Sequence, residues 1–252
     1  MKPMWIATPT ATRLGLGNEF FDRRPTHVTP PGATFLKNSE HLYGLWFFAI
    51  KTFMEWRLKE QDLQIGEPDE NGLRTFQGRA ALGALKTTSY WLTAILATLI
   101  EAYMKDLLTF VALVDPRIME VAPKPLGPPG TAHATETKPD IAPAARRWSR
   151  TWLRSRKRPR EWIAGFEQLG VTGFTPNLSH RLYELLGVRH LVVHSAGIVD
   201  QEYLRHHPTS PWPLGSEASI DEGMLHGFVQ TTFEFFAPIE AHFVNRYVRT
   251  RP

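Results

Sequence analysis

The chain has 252 residues, 42% apolar and 21% charged, the balance of a globular protein and not of a disordered one. It contains no cysteine, which excludes a disulfide scaffold, a zinc ribbon and a thiol nucleophile. The net charge is only +4, too small to name a partner, so the placement of the charges matters more.

No internal repeat is evident. Residues 1–38 are rich in Pro, Thr and Gly, follow no sustained period and lack the apolar core of a signal peptide. They read as an irregular leader or arm. Ser39 stands where an N-cap is expected, and Leu42, Leu45, Trp46, Ala49, Ile50 and Phe53 recur at helical spacing, predicting a helix over 42–63. The segment 64–72 reads as a turn. Residues 84–114 predict the central helix, apolar over much of its circumference and ended by Asp115-Pro116. Its charge-free run, Thr87–Ile100, is fourteen residues long. A membrane span needs about 20, so a cytoplasmic, soluble protein without membrane partners is expected.

Residues 116–145 hold seven prolines and read as a flexible insert. Helical pattern resumes near 144. Pro159 can open a short helix that Gly170 closes. Pro176-Asn177 begins another, running to about Ala196 with Gly197 as C-cap. A loop over 198–218 follows. Ser219 and Glu222 have capping-box spacing before a last helix over 220–248, which Pro238 should kink. No alternating strand pair stands out. The expected fold is all-α: a bundle of five or six helices forming one domain over 39–252.

The helix over 177–196 carries the candidate chemistry. Arg189 falls seven after Leu182 and four before Val193, so a permanent cation occupies a place suited to Leu. Such a charge needs a carboxylate, a polar interface or an anionic ligand. Glu101 is a candidate partner. His190 and His194 are four apart on a neighbouring edge. Three readings stay open: a structural ion pair, a metal site lacking an obvious third ligand, and an acid–base site on a phosphate. Gly187 can allow close approach of backbone or RNA. His206 and His207, in a Pro-flanked loop, read as surface residues.

The surrounding sequence, ELLGVRHLVVHSAGIVDQEYL over 184–204, resembles the HEPN superfamily of small helical bundles. Arg189, His190 and His194 occupy its Arg-to-His signature, and the run from His194 to Asp200 is similar to the RiboL-PSP-HEPN subgroup. LIEAYMKDLL over 99–108 is similar to an earlier helix of that subgroup. The likeness spans about 84–248, with 116–145 unmatched. It departs from the subgroup at His190, where Asn is commoner. The resemblance implies an endoribonuclease that needs neither metal nor other cofactor, with its site at a homodimer interface. The 2′-hydroxyl would attack its own phosphate, giving a 2′,3′-cyclic phosphate and a 5′-hydroxyl. It also implies roles for Arg189, His190 and His194 as catalytic residues, and a place in toxin–antitoxin or antiphage systems, with a nucleotidyltransferase as one possible antitoxin. Other members of the family are non-catalytic sensors.

Residues 146–160 read RRWSRTWLRSRKRPR, with eight basic and no acidic residues. Trp148 and Trp152 can pack on one face. Arg150, Arg154, Arg156, Lys157 and Arg158 are then candidates for RNA phosphate contacts.

Overall fold

The structure, a computed structural model, describes residues 28–63, 75–121 and 141–248. Eight helices occur among them: α1 (Pro30–Leu63), α2 (Phe76–Val114), α3 (Ile118–Val121), α4 (Ile141–Arg154), α5 (Pro159–Gln168), α6 (Leu178–His194), α7 (Gln201–His206) and α8 (Glu222–Tyr247). No strand is formed by the described residues beyond one isolated bridge between Ile198 and Glu217. The protein is an all-α helical bundle. Residues 1–27, the 64–72 turn and most of the Pro-rich insert lie outside the described residues.

Several boundaries differ from expectation. Residues 30–38 are helical and not part of an irregular arm. Thr29, not Ser39, opens α1, its hydroxyl accepting from Gly32 N at 3.1 Å. Ser39 lies mid-helix and is buried. The central helix begins eight residues early, because the Thr75 hydroxyl caps Gly78 N. Asp115 ends it as expected. The insert is helical at both edges, over 118–121 and from 141. Asp221, not Ser219, caps α8 by accepting from Met224 N at 2.7 Å, and α8 runs uninterrupted past Pro238.

At 39 residues, α2 is about 58 Å long. It packs against α1, α4, α6 and α8. Its fully buried Met104, Leu107, Leu108 and Val111 form the centre of the core. Leu178, Leu182, Leu185 and Val188 of α6 and Phe235, Ile239 and Phe243 of α8 close around them. Near the start of α1, Phe35 stacks on Phe236 at 4.6 Å and leans on Tyr103 at 5.1 Å. Beside these rings the fully buried Glu240 carboxylate accepts from Thr29 N (2.8 Å), Thr29 Oγ1 (2.7 Å) and the Tyr103 hydroxyl (2.8 Å). Three donors offset part of the cost of burying this carboxylate.

Candidate functional site

The apolar stripe of α6 runs Leu178, Leu182, Leu185, Val188, Leu191. Arg189 is therefore not a stripe residue, as its spacing suggested. Val188 takes the core position, and Arg189 sits half-buried on the flank, with Val193 exposed. Its side chain forms no ion pair or hydrogen bond among the described residues. Glu101 is exposed and makes no bridge to it.

His190 and His194 lie together in the last two turns of α6, their ring centroids 4.7 Å apart. Helix geometry puts Arg189 roughly 100° from His190 and 140° from His194 around the axis. The two imidazoles thus share a face that Arg189 of the same helix does not.

The chain turns sharply after His194. Ala196 (φ 51°) and Gly197 (φ 82°) adopt left-handed conformations. A Cβ on Gly197 would press into the Tyr90 ring at 2.7 Å, so glycine is required twice over. Tyr90 in turn hydrogen-bonds Ala218 O at 2.6 Å and Glu217 at 2.9 Å. Asp200 joins the turn to α7: it accepts from Ser195 Oγ and from Tyr203 N, both at 2.7 Å. Those two bonds, with a contribution from nearby His190, hold its carboxyl below the usual range.

This turn folds α7 back over α6. The segment expected as loop thus contains a helix, and His207 is half-buried, not a freely exposed surface residue. Its ring stacks on Tyr203 at 4.6 Å and lies tilted against Tyr183 at 4.9 Å, and burial pushes its pKa down. It lies against Gly187, where any Cβ would collide with the imidazole. The close approach expected at Gly187 is made by this ring. His206 is exposed, as expected.

Between α5, α6 and α7 a cleft of about 180 Å³ opens, its lining including Lys157, Tyr183, Gly187, His190, Glu202 and His206. His190 therefore belongs both to the imidazole pair and to the cleft. Sequence reasoning missed Tyr183, Glu202 and Tyr203 here, because chain reversal brings them together, not spacing.

The basic stretch divides. Ala145, Ser149 and Trp152 are the buried face of α4, leaving Arg146, Arg147, Arg150 and Arg154 exposed. Lys157 and Arg158 are exposed too. Glu161 fixes the turn that carries them, accepting from Lys157 N (2.7 Å) and Arg158 N (3.1 Å). Arg156 is the exception: it was expected on the RNA-facing surface but is buried. It is 7% exposed, with its guanidinium 4.2 Å over the Trp152 ring. It donates to Trp152 O (3.2 Å), Ser155 Oγ (3.1 Å) and Gln168 Oε1 (3.3 Å). Gly165 leaves it the space.

No group of three metal-ligating side chains occurs among the described residues. No helix among them is long and apolar enough to cross a membrane. No protein-family model, curated protein or solved structure matches the chain.

Proposed function

We propose that this protein is a metal-independent endoribonuclease of the HEPN type, acting as a toxin or antiphage effector. The observation that carries the reading is the His190–His194 pair, 4.7 Å apart at the end of α6 and bordered by a cleft whose lining includes Lys157, Glu202 and His206. Two imidazoles at that separation can serve one phosphodiester. His194 takes the proton of the ribose 2′-hydroxyl as its oxygen bonds to phosphorus. The P–O5′ bond breaks, and His190 delivers a proton to the leaving 5′-oxygen. The products are a 2′,3′-cyclic phosphate and a 5′-hydroxyl. Arg189 holds the non-bridging oxygens as charge builds on them.

Because Arg189 lies on another flank of α6 from the imidazoles, the complete site takes Arg189 from a second copy. We therefore propose a homodimer with two α6 ends facing each other. Val193 (49% exposed) and Ile198 (43%) supply apolar surface beside His194 for that contact. The exposed arginines of α4 hold the RNA backbone, and an acidic antitoxin, such as a nucleotidyltransferase, would compete for them. A structural ion pair at Arg189 has no carboxylate to support it among the described residues.

The test is cleavage of total RNA and tRNA in excess EDTA. Wild type should give 2′,3′-cyclic phosphate ends. His194→Ala and Arg189→Ala should lose about 10²–10⁴-fold in rate while keeping their helicity. A folded wild type inert on all RNA, or a His194→Ala variant of equal activity, overturns the reading in favour of a non-catalytic sensor.

A further inference from the structure

The cleft between α5, α6 and α7 is more than a border to the imidazole pair. We propose that it seats one guanine nucleotide of single-stranded RNA, adjoining the cut bond, with Lys157 and His206 on its phosphate and Glu202 on its base. The inference takes its ligand class from the ribonuclease reading and adds where, and by what, one nucleotide is chosen.

Size argues first. At about 180 Å³ the cleft falls below the roughly 300–1,000 Å³ of pockets that enclose a whole ligand. It suits one base with part of its ribose, not a base pair. The lining argues next. Leu186 and the rings of Tyr183, Tyr203 and His207 present apolar and aromatic surface of the kind that holds unstacked bases. Gly187 lets His207 seat against the helix, where its ring packs between those of Tyr183 and Tyr203. An ordered wall costs little further entropy on binding.

Charge places the phosphate. Lys157 and His206 are exposed on the lining, and neither forms an ion pair among the described residues. The Lys157 backbone is tied by Glu161, so the side chain starts from a fixed point. Lys157 also continues the cationic surface of Arg154 and Arg158, which gives the strand a path away from the cleft. Glu202 places the base. It is the lone carboxylate of the lining and, ionised, only accepts hydrogen bonds. Guanine alone among the RNA bases offers two adjacent N–H donors, N1–H and N2–H₂, to a carboxylate fork. Uracil flanks its single N3–H with two carbonyl oxygens, which a carboxylate repels.

Binding of guanosine and uridine 5′-monophosphates to the full chain is measured by calorimetry, beside steady-state cleavage of an oligoribonucleotide. Wild type should prefer the guanosine nucleotide by about tenfold, within the range of one bidentate base contact. Glu202→Gln should erase that preference. Lys157→Ala and His206→Ala should weaken both nucleotides and raise KM with kcat unchanged. His194→Ala should bind guanosine monophosphate normally. All these positions but His194 lie outside the proposed reaction, and each is exposed, so folding is retained. Absence of nucleotide binding to wild type, or binding unaltered by Lys157→Ala, His206→Ala and Glu202→Gln, overturns the proposal. Cleavage that depends on His194 beside such a result would leave the ribonuclease standing. Selective guanosine binding without RNA cleavage would do the reverse.

Discussion

Gly187 and His207 show how a single residue sets the site. The ring of His207 fills the space a Cβ at 187 would need. Gly187→Ala should therefore lower stability by about 1–3 kcal/mol, as other overpacked cores do. Urea unfolding measures it, and the double variant Gly187→Ala/His207→Ala should recover part of the loss. A simple helix-propensity effect would have the opposite sign, since Ala favours a helix over Gly by up to about 1 kcal/mol. A close approach at Gly187 was legible in the sequence, but its partner His207 was not. A histidine pair between acidic, basic and proline neighbours reads as loop, and only the turn at Ala196 and Gly197 brings His207 to Tyr183. Arg156 was more legible. It follows Trp152 by four residues, a spacing that permits a guanidinium over an indole, yet counting charge alone assigned it to RNA. Arg156→Ala should cost about 1–3 kcal/mol in stability, because it strips the donors of three hydrogen bonds from a buried site. Arg150→Ala should stay within about 0.5 kcal/mol of wild type while weakening RNA binding and lowering its salt dependence.

At the scale of the element, α6 is the informative case. Its existence and its C-terminal stop were legible from the apolar period and from Gly197. Its rotation was not. Leu182, Leu185, Arg189 and Val193 make as good a periodic set as Leu182, Leu185, Val188 and Leu191, because Leu186, Val192 and Val193 leave apolar residues on both sides. Packing decided between them: the main core with α2 and α8 buries Val188, Val199, Tyr203 and Ala218 cover Leu191, and Arg189 is turned to the flank. The functional consequence is a guanidinium and an imidazole pair that diverge within one helix. A mixture of Arg189→Ala and His194→Ala protomers should thus regain cleavage that neither has alone, each mixed dimer holding one intact site. Failure of properly formed mixed dimers to cleave would place all three side chains in one protomer.

Across the whole molecule, the bundle class and the central position of α2 were legible, since fourteen uncharged residues in helical register have few other places to go. The start of α1 was not, because its organising group is 211 residues away in sequence. Glu240 ties Thr29 and Tyr103 together from α8. Burial raises the Glu240 pKa despite its three donors. The folded state then holds this proton more tightly than the unfolded chain does. Its contribution is fullest below the ordinary glutamate range and declines as pH rises through the raised folded value. Chemical denaturation across mildly acidic to neutral pH should show that decline, and Glu240→Gln should remove it. Asp200 works in the opposite direction: its lowered pKa favours the fold above the usual aspartate range and is lost as pH falls.

The Thr29–Glu240 bond also imposes an order on synthesis. At about 5–20 residues per second, the carboxylate that anchors the first described helix leaves the ribosome roughly 10–40 s after that helix. Until then the start of α1 has neither Glu240 nor Phe236 to bind. The α6 histidines are translated well before α8, but the start of α1 joins the bundle that supports them only once α8 has been made. A nascent chain stalled before Glu240 should expose α1 to protease, while the released protein protects it.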